Sequence, residues 1–302
     1  MTAAPAATPA ERAAAAVWVN GVRQPPGAAH LSALDRGFTL ADGVFETVRV
    51  YGGSAFRLDA HLARLARAAA ALEIAVPPEL RETALAAVAA GPLSASLRVT
   101  VSRGPGAGGA APPPVPGPAT AVVTVAPLAA FAPSLYEHGL AAHVASGRRN
   151  ERAMTAGIKT LSYTDATAAL VEARRAGADE ALFLDTRDRC SEAASSNLFV
   201  WTGTALVTPP LSCGALPGIT RASVLALAAG RGLPTDERPF GLGELLAAPE
   251  AFLTSSLREL APLVRVDGQP LGDGRPGPVT RDLTASYRDL VRAECGAAGT
   301  RS

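Results

Sequence analysis

The sequence predicts a mixed fold, α+β in its first half and α/β in its second. Two tight-turn dipeptides flanked by alternating apolar residues open the chain, and strands alternate with helix-length periodic segments beyond about residue 155. The length, 302 residues, suffices for roughly two domains of about 150 each.

In the first half, Ala16-Val-Trp-Val19 leads into Asn20-Gly21 and then Val22, and Asn-Gly supplies the positive φ angles of a two-residue hairpin turn. Gly52-Gly53 repeats the device after the alternating run Val44 to Val50, with Ser54 to Arg57 as the return strand. Asp59 is the expected cap of a helix whose Leu62, Leu65, Ala69 and Leu72 keep helical spacing. A second helix is expected over 79–89, and strands over 97–102, 120–126 and 140–145. Gly104-Pro-Gly106-Ala-Gly-Gly109 matches a dinucleotide fingerprint in letters only. Pro112, Pro113, Pro114, Pro116 and Pro118 forbid the helix that such a fingerprint must open, so the stretch reads as a loop.

The polar, basic stretch 146–155, with Arg148, Arg149 and Arg152, reads as a linker between a domain over 16–145 and another over 156–295. Beyond it, Thr164 or Asp165 is expected to cap a helix that stops at Gly177. Strands are expected over 180–184, 197–201, 205–208, 251–254 and 263–266, with helices over 221–229 and 279–292. Tails rich in small residues, 1–15 and 296–302, are expected to stay disordered.

Composition narrows the function. With 48% hydrophobic and 18% charged residues and a net charge of +1, the chain has no basic stripe for nucleic acid. Four histidines lack metal spacing and three scattered cysteines suit neither a disulfide framework nor a zinc site, so no metal is expected. No apolar run approaches the ~20 residues of a membrane span, and the start has no signal-peptide core. These features suggest a cytoplasmic protein acting on a small molecule.

Lys159 is the single lysine, in the apolar, small-residue setting Ala156-Gly157-Ile158-Lys159-Thr160-Leu161. A lysine amine can lose its proton when desolvated and attack a carbonyl to form a Schiff base, which arginine cannot do. Glu192 lies among small residues just before an apolar strand, and a buried carboxylate needs a partner. Gly218-Ile219-Thr220 precedes a helix whose outward amides suit an anion. Thr254-Ser255-Ser256 offers three hydroxyls at a strand end. His61 and Arg64 share a helix face, where a fixed guanidinium could hold a phosphate bidentately. A Schiff-base lysine, a phosphate cradle and a carboxylate for a protonated ring nitrogen are the parts of a pyridoxal-phosphate site.

Six segments, in order and spacing, resemble the class IV, fold-type IV pyridoxal-phosphate enzymes. They begin with Asp35-Arg-Gly-Phe-Thr-Leu-Ala-Asp-Gly-Val-Phe45 and its extension to Arg49, then His61-Leu-Ala-Arg64-Leu65 and Gly157-Ile-Lys159-Thr-Leu-Ser-Tyr163. Ser191-Glu192 to Phe199, Leu216-Pro-Gly-Ile-Thr-Arg221 and Phe252-Leu-Thr-Ser-Ser256 complete the set. The resemblance implies a smaller N-terminal α+β domain, a larger C-terminal α/β domain of mixed-strand, barrel-like type, and a homodimer. It implies that Lys159 carries pyridoxal 5'-phosphate and shuttles protons, and that Glu192 faces the pyridine nitrogen. Arg64, the backbone of Ile219 and Thr220, and Ser256 match phosphate-holding positions, and Ser255 is a further candidate cofactor contact. Phe45, Arg98 and Arg103 are the candidate substrate contacts.

The reaction is less sharply marked. Phe45-Glu-Thr-Val-Arg49 and Ser102-Arg103-Gly104 ahead of the glycine-rich loop are similar to 4-amino-4-deoxychorismate lyases, which release pyruvate and leave 4-aminobenzoate for folate. That lyase reaction is the expectation. Leu216-Pro-Gly-Ile-Thr and Thr254-Ser255-Ser256 equally resemble aminotransferases of branched-chain or D-amino acids, the alternative. A non-catalytic binding protein on the same fold is the third reading.

Overall fold

The computed structural model describes residues 15–25, 27–106, 109–113 and 117–296. The expectations for both tails fall almost wholly outside these residues. Two compact units emerge. The first comprises the described residues through Ala130, Lys159–Ser162 and the described residues from Val291, and the second Phe131–Ile158 and Tyr163–Leu290.

The first unit runs β1 (Ala16–Val19), β2 (Val22–Gln24), α1 (Arg36–Leu40), β3 (Gly43–Tyr51), β4 (Ser54–Ala55), α2 (Leu58–Ala71), α3 (Leu80–Ala90), β5 (Ala95–Ser102) and β6 (Thr120–Pro127). Six strands form an antiparallel sheet in the order β2-β1-β6-β5-β3-β4. Both hairpins close as the dipeptides require, with positive φ at Asn20, Gly21, Gly52 and Gly53. In β3, Val44, Glu46, Val48 and Val50 are fully buried while Thr47, Arg49 and Tyr51 are half-buried, the period-2 alternation of a strand with one face on a core; Phe45, on the other face, is buried as well. A helix covers that buried face: α2 turns inward a stripe of Leu58, His61, Arg64, Leu65, Ala68 and Ala69. Asp59 does not cap it. The N-cap is Arg57, in the left-handed region, and Asp59 sits in the first turn paired with Arg81 at 2.8 Å.

The second unit runs α4 (Pro133–His138), β7 (Leu140–Arg149), α5 (Thr164–Arg175), β8 (Glu180–Asp185), β9 (Cys190–Ala193), β10 (Asn197–Trp201), β11 (Leu206–Thr208), α6 (Ile219–Gly230), β12 (Thr235–Glu237), α7 (Leu242–Ala247), β13 (Glu250–Ser255), β14 (Glu259–Val266) and β15 (Gln269–Pro270). Helix α8 (Pro278–Cys295) ends the described chain. Strands β10-β13-β14-β7-β8-β9 close on themselves through β9–β10, giving a mixed barrel with parallel β14–β7 and β7–β8 pairs. The barrel-like expectation is therefore met.

The expected linker is not one. Residues 146–149 complete β7, where Arg148 pairs with Leu184 and Arg149 with Asp185 after a register shift. Ser146, Gly147 and Arg148 are exposed on that strand end, so their polarity mimics a linker. The boundary falls instead after Ala130, and Lys159 groups with the first unit rather than with the domain expected over 156–295. Helix α5 starts at Thr164 with Tyr163 as N-cap and no side-chain cap, so neither Thr164 nor Asp165 has that role.

Directly opposed on β10 and β13, Phe199 and Phe252 stack with ring centroids 5.1 Å apart and both are fully buried. Phe252→Ala should cost about 3–5 kcal/mol of unfolding free energy through lost transfer energy and a cavity, read from urea midpoints.

Candidate cofactor site

In the first unit the lysine is fixed by backbone pairing. The Phe45 amide donates to the Lys159 carbonyl at 3.1 Å and the Leu161 amide to the Gly43 carbonyl at 2.9 Å, with an isolated bridge between Val44 and Thr160. Gly43 permits the approach, since a Cβ there would lie 2.7 Å from Leu161 Cδ1 and from the Val101 carbonyl. The Lys159 amine then lies 4.4 Å from the Phe45 ring centroid, and the Arg98 guanidinium 3.9 Å from the same centroid. Both side chains thus lie over the Phe45 ring as cation–π contacts.

On the opposite face of β3, Glu46 is fully buried and takes Arg64 side-on, Nε at 2.6 Å and Nη2 at 2.8 Å, with His61 Nδ1 at 2.7 Å. Arg64 therefore does not offer its Nε–Nη2 edge to an anion, as the simple bidentate expectation had it. Burial alone would raise the Glu46 pKa; hydrogen bonds and charge from His61 and Arg64 outweigh it and bring it down to about 2. Burial lowers the His61 pKa, against the pull of Glu46 and aided by the charges of Arg64 and Lys159.

In the second unit, strand register lines up a polar row: Glu192 on β9 opposes Asn197 on β10, which opposes Thr254 on β13. Glu192 is buried and held on both oxygens. Oε2 accepts from the Leu216 amide at 2.8 Å and from Asn197 Nδ2 at 3.2 Å, while Arg149 Nη2 approaches Oε1 at 3.2 Å. Arg149 stacks over the Phe183 ring at 4.5 Å. Asn197 Nδ2 also donates to the Leu216 carbonyl at 2.9 Å, tying the carboxylate to the loop that leads into α6.

Helix α6 starts at Ile219, two positions ahead of the expected start at residue 221, so Ile219 and Thr220 are its first residues and their amides face out of its N-terminus. Its N-cap is Gly218, without a side-chain cap, and a Cβ there would lie 1.9 Å from Asn197 Oδ1. Ser255 Oγ accepts from the Arg258 amide at 3.2 Å, and Ser256 opens the turn after β13. The buried Thr254 Oγ1 has no hydrogen-bond partner among the described residues. A hydroxyl left unsatisfied in the same row as Asn197 and Glu192, near a helix N-terminus without a side-chain cap, fits a phosphorylated polar group.

Arg103 has a different fate. Its Nε and Nη2 reach Asp42 at 2.7 and 3.1 Å, Nη1 the Glu73 carbonyl at 3.0 Å and Nη2 the Leu72 carbonyl at 2.7 Å. Arg36 also holds Asp42, at 2.9 Å, and donates to the carbonyls of Gly109, Ala110 and Ala111. Arg36 thereby anchors the glycine-rich loop. The three cysteines are buried and unbridged, and burial pushes the Cys190 thiol up to about 12, so it supplies no thiolate at neutral pH. No cluster able to hold a metal ion occurs among the described residues, and no helix there is long and apolar enough to cross a membrane.

Glu46, Arg149 and Asn197 escaped the sequence reading. The alternation of β3 could have found Glu46: a carboxylate on the same face as Val44, Val48 and Val50 demands buried polar partners, and His61 and Arg64 share one face of the next helix.

A closed mixed barrel, a lysine clamped by the backbone of a strand and a buried, doubly anchored carboxylate define the class: a pyridoxal-phosphate enzyme of fold type IV. The chain belongs to the amino-transferase class IV family, whose model matches residues 43–266. It is 34% identical over 265 residues to a branched-chain-amino-acid aminotransferase of Pseudomonas aeruginosa, covering 82% of this chain and 84% of that one. It is 32% identical over 275 residues to a D-alanine aminotransferase of Bacillus licheniformis, covering 86% and 91%. Among solved structures, a T.th branched-chain amino acid aminotransferase with pyridoxamine 5'-phosphate superposes with a TM-score of 0.86, 29% identity and coverage of 92% and 94%. A 4-amino-4-deoxychorismate lyase of Pseudomonas aeruginosa gives 0.81, 32%, and coverage of 92% and 98%.

An acid-sensitive fold follows from the Glu46 cluster. The folded Glu46 pKa lies below its ordinary 4.5, so its stabilisation is complete above about that pH and is lost as pH falls toward 2. The depressed His61 acts in the same sense from below 6.5. Urea midpoints should fall with pH through this window, and Glu46→Gln should flatten the part below 4.5.

Proposed function

We propose that this chain is an aminotransferase of a small α-amino acid with one carboxylate, rather than the lyase that its Ser102-Arg103-Gly104 segment suggests. The observation that carries this reading is Arg103, whose guanidinium is spent on Asp42 and on the carbonyls of Leu72 and Glu73. Aminodeoxychorismate carries two carboxylates and calls for two cationic grips; a simple amino acid calls for one. Arg98, against the same ring as the Lys159 amine, supports holding that single carboxylate. The lyase remains the second reading, favoured by the 32% identity to a lyase over nearly its whole chain.

Pyridoxal phosphate, when bound, supplies an electron sink for a carbanion at the substrate α-carbon. Lys159 Nζ would take the proton from that carbon and deliver it to the cofactor's aldehyde carbon in the first half-reaction, and move it the opposite way in the second. Glu192, aimed by Leu216, Asn197 and Arg149, would hold a proton at the pyridine nitrogen. In the first unit Arg64 would serve the phosphate, and the Phe45 ring walls the Lys159 amine; in the second, the amides of Ile219 and Thr220 and the hydroxyls of Ser255 and Ser256 are the groups suited to a phosphate. Buried free cysteines suit a reducing, cytoplasmic setting.

Leucine or D-alanine with a 2-oxo acid acceptor should yield the exchanged oxo acid, and Lys159→Ala should lower turnover on the order of 10³-fold. Pyruvate and 4-aminobenzoate released from aminodeoxychorismate without any acceptor would overturn the aminotransferase reading in favour of the lyase.

The working unit is proposed to be a homodimer. Leu31, Leu34, Phe38 and Leu40 are all exposed, Phe38 at 78%, and so clustered an apolar surface calls for cover. Light scattering should give the dimer mass, and Phe38→Asp should shift it toward the monomer.

A further inference from the structure

The side chain that the proposed chemistry leaves unused is Glu46, a fully buried carboxylate with two basic partners. We infer that Glu46 is a positioning residue for the cofactor phosphate: it clamps Arg64 side-on and so fixes the direction in which that guanidinium meets the anion. The inference rests on the reading of Arg64 as a phosphate-holding residue.

Three observations carry it. Both Glu46 oxygens are engaged by the Nε and Nη2 edge of Arg64, so the guanidinium plane is set by a carboxylate rather than by the flexible arginine stem. His61 Nδ1 shares Oε2 from one helical turn away on α2, which fixes the carboxylate itself. Glu46 also follows Phe45, whose amide binds the Lys159 carbonyl, so consecutive residues of one strand hold the amine and the arginine. β3 thereby links the two side chains through one backbone. The groups facing Glu46 are the Arg64 guanidinium and the His61 imidazole, and the charge of Lys159 acts on His61 through space.

A buried ion pair that only stabilised the fold would be indifferent to whether the ligand carries a phosphate. The test therefore compares pyridoxal 5'-phosphate with pyridoxal, by equilibrium titration of the apoprotein followed by absorbance, in the wild type, Glu46→Gln, Glu46→Asp and Arg64→Lys. A Gln amide turns a donor toward the guanidinium and a shorter Asp withdraws the acceptor, so both displace Arg64. Glu46→Gln should bind pyridoxal phosphate ~10-fold more weakly while pyridoxal binding stays within about twofold of wild type. Unchanged or tighter pyridoxal phosphate binding, or equal weakening of both ligands, overturns the inference. Should Glu46→Gln not fold, Glu46→Asp decides by the same selective loss. Arg64→Lys separates the two ideas. If it leaves pyridoxal phosphate affinity unchanged, the phosphate role of Arg64 fails; if it weakens it while the Glu46 variants do not, only the positioning role fails.

Discussion

A carboxylate withdrawn from water in the middle of a strand constrains the first unit more than any other interaction. An isolated buried charge is prohibitively unfavourable, so Glu46 demands a counter-charge and hydrogen-bonding partners at fixed places, and α2 must bring Arg64 and His61 together over β3. Breaking such a pair is costlier than never having made it, because the remaining charge stays buried. The other face of the same strand holds Phe45 against Lys159 and Arg98. One strand thereby ties the helix, the sheet and the Lys159 amine into a single arrangement.

The second unit solves a similar problem differently. Glu192 is matched by a backbone amide, a side-chain amide and one arginine, and these come from the loop before α6, from β10 and from the end of β7. Distributing the partners over three segments makes the carboxylate a sensor of barrel closure: only when β9 meets β10 does the row Glu192, Asn197, Thr254 exist. Gly218 is required by the same packing, since Asn197 occupies the space that a Cβ would need.

Much of the fold was legible because it is local. Asn20-Gly21 and Gly52-Gly53 are turns whatever surrounds them, and the spacing of Leu62, Leu65 and Ala69 marks a helix before any partner is known. Helix ends were less legible: Asp59 looks like a cap, yet its carboxylate is drawn to Arg81 instead. The end of β7 misled for a related reason, since a strand whose last residues face water carries the same polar letters as a linker.

The sequence by itself determined the hairpins, most of the helices and strands, the single lysine, and the set of residue types from which a pyridoxal-phosphate site is built. The tertiary structure decided which groups those residues spend their bonds on. It gave Arg103 to Asp42, the Nε–Nη2 edge of Arg64 to Glu46, and Lys159 to the backbone of β3. Periodicity and turn chemistry depend on neighbours a few residues away, whereas the pairing of charges depends on strand register between residues far apart in the chain, and no local pattern encodes that.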